Sequence, residues 1–251
     1  MVSPVAGIRR RSVSPPAAEM PSELVIHDHL SPNFGERRDG ARPDMVLLHY
    51  TAMPTAEAAL ERLCDPEFEV SAHYLICEEG RVYRLVAEEM RAWHAGAGQW
   101  GDVTDVNSRS IGIELANPGD TPFAAAQIDA LEALLADILA RHEIPAARVI
   151  AHSDMAPERK IDPGPRFDWR RLALQGLSIF PDEMTVVAPD EIAFVQDLSR
   201  LGYPEAPCEA LLTAFRSRFR PRHTGPLDGI DMALARDLAK RFPVDRESGT
   251  A

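Results

Sequence analysis

MVLLHY, residues 45–50, reads as a buried strand: four apolar residues in a row, with polar groups only at its end. Two short apolar runs follow it downstream, IGIEL at 111–115 and RVIAH at 148–152. Runs of this kind belong to sheets covered on both faces by helices. Helical patterns lie between them. Pro54 and Thr55 open AEAALERL, which puts Ala59, Leu60 and Leu63 on one face. Thr121 and Pro122 read as the N-cap and first turn of a second helix. Its stripe is Ile128, Leu131, Leu135, Ile138 and Leu139, and Pro145 ends the region. HYLICEEGRVYRLV reads as a hairpin turning at Glu79-Gly80, with Tyr83 and Leu85 sharing a face. The order strand, helix, hairpin, strand, helix, strand predicts an α/β fold with a mixed central sheet flanked by helices.

Working outward, residues 1–22 are rich in Pro, Ser and Arg and read as a flexible tail. Residues 23–180 form the α/β domain, and 181–189 read as a linker. A small three-helix domain is expected over 190–245. Its faces are Ile192, Val195 and Leu198; Leu211, Leu212, Phe215 and Phe219; and Ala233, Leu234 and Leu238. The 251-residue chain is 45% hydrophobic and 26% charged, enough to build a core. Its 27 Lys+Arg against 39 Asp+Glu give a net charge of -12, which argues against a nucleic-acid partner. No run approaches the apolar length of a membrane span.

Candidate chemistry gathers at the strand ends. His49 ends the first strand and His152 the third, while Asp162 follows ten residues later in PERKIDPGPRFDW. Two imidazoles and a carboxylate make a set suited to catalytic zinc, with a fourth position left open. Taken singly, a strand-end histidine is more often a hydrogen-bonded structural residue. Glu114 interrupts IGIEL and shares its face with Gly112. Buried there, it suits a general base; exposed, it is an ordinary strand glutamate. Lys160 is either a cation beside the site or a solvated loop lysine.

The segments VLLHYTAM, SAHYLICEEGRVYRLV, RAWHAG, SRSIGIELAN and AHSDMAPERKIDPGPRFDW resemble, in order and spacing, the zinc-dependent type 2 N-acetylmuramoyl-L-alanine amidases. That family includes peptidoglycan recognition proteins on the same fold. The resemblance covers about residues 23–180 and implies zinc ligands at His49, His152 and Asp162. It implies Glu114 as general base and Lys160 as a transition-state aid. It places His94 and Asn117 along a substrate groove, with Arg109 and His73 as further groove candidates and Trp93 as packing. The implied reaction cleaves the amide between N-acetylmuramic acid and L-alanine, with muropeptides as partners.

The segment 190–245 resembles, more weakly, a peptidoglycan-binding three-helix domain. Arg216, Arg218, Arg220 and Arg222 then form either a glycan- or peptide-facing patch or a solvated helix face. Two other readings stand beside a recycling amidase acting on 1,6-anhydro fragments. One is an amidase of polymeric wall; the other is a non-catalytic wall-binding protein. Cys64, Cys77 and Cys208 occupy none of the ligand positions, and no apolar h-region follows the N-terminal arginines. Both features lead to the expectation of a cytoplasmic protein, with export as the alternative.

Overall fold

In a computed structural model, residues 24–182 and 185–244 are described. The tail expected over 1–22 lies outside them, as do residues 183 and 184 of the expected linker. In chain order the strands are β1 (Ile26–Asp28), β2 (Phe34–Glu36), β3 (Met45–Tyr50), β4 (Tyr74–Ile76), β5 (Val82–Arg84), β6 (Met90–Ala92), β7 (Ser110–Leu115) and β8 (Val149–Ala151). The helices are α1 (Ala56–Cys64), α2 (Val106–Arg109), α3 (Ala125–His142), α4 (His152–Met155), α5 (Trp169–Leu174), α6 (Glu191–Leu201), α7 (Cys208–Phe219) and α8 (Gly229–Arg241).

Six strands form one sheet in the order β1-β5-β4-β7-β3-β8. β3 pairs in parallel with both β7 and β8, and β4 pairs in parallel with β7. Only the β4–β5 hairpin is antiparallel within this sheet, so the expected mixed α/β architecture is present. β2 and β6 form a separate antiparallel pair. These short strands, with β1, α2 and α5, carry too few residues to show a period in the sequence.

β3 explains why MVLLHY is apolar throughout. Val46 and Leu48 face a core filled by Ile128, Leu131, Leu135 and Ile138 of α3. Met45 and Leu47 face the opposite core, built with Phe194, Leu198, Phe215 and Leu238 of the C-terminal helices. Alternation along the strand therefore feeds two layers at once. The three C-terminal helices cover the β3–β8 side of that face and share its core, while α1 covers Leu75 of β4 on the same face.

Local signals account for most boundaries. The Thr55 hydroxyl accepts the Ala58 amide and starts α1, a cap of about 1 kcal/mol. Gly80 takes a left-handed φ of 83° in the hairpin turn, a conformation that favours glycine. Three readings need correction. α3 starts at Ala125 with Ala124 at its N-cap, four residues after Thr121. The Asn117 side-chain amide donates to the Thr121 and Pro122 carbonyls and holds that stretch as a loop. His152 opens α4, and β8 stops at Ala151. Of the arginine run, Arg216 and Arg218 on α7 are buried and so belong neither to a wall-facing patch nor to a solvated face, while Arg220 and Arg222 follow the helix and only Arg222 is exposed. Arg216 pairs with Asp231 and Arg218 with Asp154.

Candidate active site

The site lies at the C-terminal ends of the parallel strands. β3 and β7 are in register with His49 opposite Glu114, so both side chains share one face of the sheet. His152 follows the neighbouring β8 directly. Asp162 comes from the loop after α4, and its carbonyl accepts the Ser153 amide at 3.1 Å. Four segments distant in sequence thus meet because three strands run side by side.

Three potential ligand atoms converge. His49 Nδ1 lies 2.9 Å from His152 Nδ1 and 2.9 Å from Asp162 Oδ2, and His152 Nδ1 lies 3.0 Å from the same oxygen. Ligand atoms around tetrahedral zinc stand roughly 3.3 Å apart, so the group fits such an ion. The hydrogen bonds behind the ligands favour the required tautomers. His152 Nε2–H donates to the Ala95 carbonyl at 2.8 Å, leaving Nδ1 its lone pair. His49 Nε2–H donates to His94 Nδ1 at 3.1 Å. His94 Nε2–H in turn faces Ser110 Oγ at 3.3 Å, and that hydroxyl donates to the Val106 carbonyl. Each donor in this chain meets one acceptor, an arrangement that orients a metal-bound histidine.

Charge follows burial. Desolvation lowers His49 to about 4, helped by the neighbouring His152, so its imidazole is neutral and able to ligate. Burial also pushes Asp162 upward, but hydrogen bonds from His152 and His49 overcome this and hold it below the usual carboxylate range. Glu114 moves the other way. Burial and then the Asp162 charge raise it to about 8, against a smaller opposing effect of Lys160. Its Oε2 is buried with no hydrogen-bond partner. An unpartnered buried carboxylate oxygen is costly and needs a reason. Here it lines the same cavity as the three ligands.

That cavity has a volume of about 380 Å³. Besides the ligands and Glu114 it is lined by Lys160, His94, Trp93, Tyr50, Arg62 and Arg159, among others. Lys160, Arg62 and Arg159 give its wall three cations. Tyr50 and Arg159 lie inside the family-like segments but carried no assigned role there, and Arg62 lies outside them. Ser110 was equally silent. Gly112 did carry a signal, a glycine inside an apolar strand. A Cβ there would stand 2.4 Å from the His94 ring, so the glycine makes room for the histidine that supports His49.

Three candidates lie away from the cavity. His73 is fully buried; its Nδ1 accepts the Gly112 amide at 2.9 Å and its Nε2 meets the Met90 carbonyl at 3.1 Å. Asn117 is buried and accepts the Gly119 amide at 2.7 Å while tethering the loop before α3. Arg109 pairs with Asp44 at another surface depression. Among the described residues a second His/Asp group, His223, Asp228 and Asp231, is already neutralised by Arg216 and Arg220.

Known proteins share this organisation. Residues 39–165 match the Amidase_2 family, described as N-acetylmuramoyl-L-alanine amidase. The N-acetylmuramoyl-L-alanine amidase AmiD of Escherichia coli (strain K12) is 36% identical over 237 residues, covering 81% of this chain and 85% of that protein. The 1,6-anhydro-N-acetylmuramyl-L-alanine amidase AmpD of Enterobacter cloacae is 34% identical over 166 residues, 59% of this chain and 89% of its own. Among solved structures, E. coli AmiD in complex with the substrate anhydro-N-acetylmuramic acid-L-Ala-D-gamma-Glu-L-Lys superposes with a TM-score of 0.75 at 34% identity, covering 85% of this chain and 99% of that one. Pseudomonas aeruginosa AmpDh3 in complex with anhydromuramic pentapeptide gives 0.74 at 32% identity, covering 82% and 94%. The family match runs through β3, β7 and the Asp162 loop, the segments that build the cavity, and the chain therefore belongs to the N-acetylmuramoyl-L-alanine amidases and is an enzyme of that class.

Proposed function

We propose that this amidase holds zinc on His49, His152 and Asp162 and cleaves the lactyl–L-alanine amide of 1,6-anhydro-muropeptides, as a step in cell-wall recycling. The observation that carries the reading is the convergence of three ligand atoms beside the unpartnered oxygen of Glu114. Bound zinc supplies a Lewis acid that acidifies water and polarises a carbonyl. Glu114 takes a proton from the attacking water as its oxygen bonds to the lactyl carbonyl carbon. Lys160 faces the negative charge that develops on the carbonyl oxygen. When the carbon–nitrogen bond breaks, Glu114 returns the proton to the leaving amine of L-alanine. His94 keeps His49 oriented throughout. Arg62 and Arg159 offer charge complementarity to an anionic stem peptide.

The anhydro substrate is supported by the two solved relatives, each in complex with an anhydromuramic peptide. Attack on polymeric wall loses support from the burial of Arg216 and Arg218. Purified zinc-loaded protein is expected to release intact stem peptide from 1,6-anhydro-muropeptides, read by mass spectrometry. Faster solubilisation of intact sacculi than of the anhydro compounds overturns the recycling assignment. The three unpaired thiols support cytoplasmic placement, and recovery of the activity in a periplasmic fraction would refute it.

A further inference from the structure

The C-terminal helices reach the metal site through one carboxylate. Asp154 lies two residues beyond His152 and is fully buried. Its Oδ2 accepts the amide of Ala151, the residue before the ligand, at 2.9 Å. From the other side, Arg218 of α7 donates to Oδ2 at 2.5 Å, and the Tyr203 hydroxyl, just past α6, donates to Oδ1 at 2.6 Å. Arg218 also donates to the Val149 carbonyl at 2.9 Å and to Ser178 Oγ at 3.2 Å. Its guanidinium sits 4.2 Å from the centre of the Trp169 ring.

Stability alone explains this arrangement poorly. A buried ion pair is often no better for stability than apolar residues of the same volume. Its geometry is more informative. Arg218 stacks on Trp169 and Phe219 and Tyr203 packs against Trp100, but apart from the one to Ser178 the side-chain hydrogen bonds of both fall on the segment Val149–Asp154, which carries β8 and presents His152. The carboxylate is held from both sides, and the backbone amide next to the ligand is held by the carboxylate. We propose that Arg218 and Tyr203 are positioning residues for His152, acting through Asp154, so that the C-terminal helices complete the metal centre. The proposal rests on the zinc reading of His49, His152 and Asp162.

The test uses the full-length protein stripped of metal and titrated with zinc against a fluorescent chelator. Cobalt spectra report coordination geometry, and steady-state kinetics report kcat and KM separately. Tyr203→Phe removes one hydroxyl and keeps the ring; Arg218→Lys keeps the charge and loses the fork. Leu238→Ala is the control, since it loosens the same helices without touching Asp154. Both brace variants are expected to bind zinc about tenfold more weakly, with a changed cobalt spectrum and lower kcat at unchanged KM. Leu238→Ala is expected to lower Tm while leaving zinc affinity within about twofold of wild type. Wild-type zinc affinity in Tyr203→Phe overturns the proposal even if Arg218→Lys fails to fold. So does an equal loss in Leu238→Ala at matched Tm. Failure of the wild-type chain itself to take up zinc would instead refute the metal reading on which the proposal rests.

Discussion

At the scale of single residues, the chemistry depends on groups whose charge is set by burial. Glu114→Gln keeps the shape of the side chain and removes its ability to accept a proton. It is expected to retain zinc and to lose at least about 100-fold in kcat, checked by metal analysis alongside peptide-release kinetics. Gly112→Ala should be nearly as informative. The added methyl displaces the His94 ring and with it the support of His49, so zinc affinity should fall while the fold persists by circular dichroism. His73 provides a pH prediction. Burial, with a contribution from the Arg37 charge, lowers it to about 3 in the folded chain. The unfolded chain takes up that proton below about 6.5, so stability is lost as pH falls from 6.5 towards 3, by about 1.4 kcal/mol per unit at full slope. Urea titrations of the metal-free protein between pH 7 and 4.5 read this slope, to which the depressed His49 also contributes, and His73→Gln should reduce it by His73's share. The sequence made His49, His152 and Glu114 legible because each stands beside or inside an apolar run, where a polar residue needs a reason, whereas Asp162, in a proline-rich loop, was drawn in by its spacing from His152 and by the family resemblance. It left the roles of His94, Ser110 and Asp154 unreadable, because their partners lie 45, 16 and 64 residues away.

At the scale of elements, period and punctuation decided what could be read. β3 was correct to the residue because its apolar run is bounded by Asp44 on one side and by polar groups on the other. α1 was placed by its cap. The start of α3 was misplaced for an instructive reason. Thr121-Pro122 has the local chemistry of a helix start, but the Asn117 amide claims both carbonyls and keeps the chain irregular for another turn. A tertiary hydrogen bond outweighed a local preference. The arginines of α7 were misread for the same kind of reason: the acids that bury them lie on α4 and α8. In α8, Leu238 is fully buried in the core shared with the sheet. Leu238→Ala should cost about 2–5 kcal/mol, measured by denaturant unfolding.

At the scale of the whole molecule, the sheet has two covering layers drawn from different parts of the chain. α3 covers the face of Val46 and Leu48, and the C-terminal helices cover the face of Met45 and Leu47. Sequence reading separated the second layer as a domain because the composition shifts near residue 180. It had no means of seeing that β3 also contributes to that core. Removing residues 181–251 should expose Met45, Leu47 and Ile150 together, and the shortened chain is expected to aggregate on size-exclusion chromatography. The shared core also bears on how such a protein can be recombined. A catalytic part that shares one of its cores with its neighbour is not a cassette. Grafting the helices onto another amidase, or this sheet onto another partner, would require exchanging the apolar residues on both sides of the seam together with the Arg218–Asp154 pair.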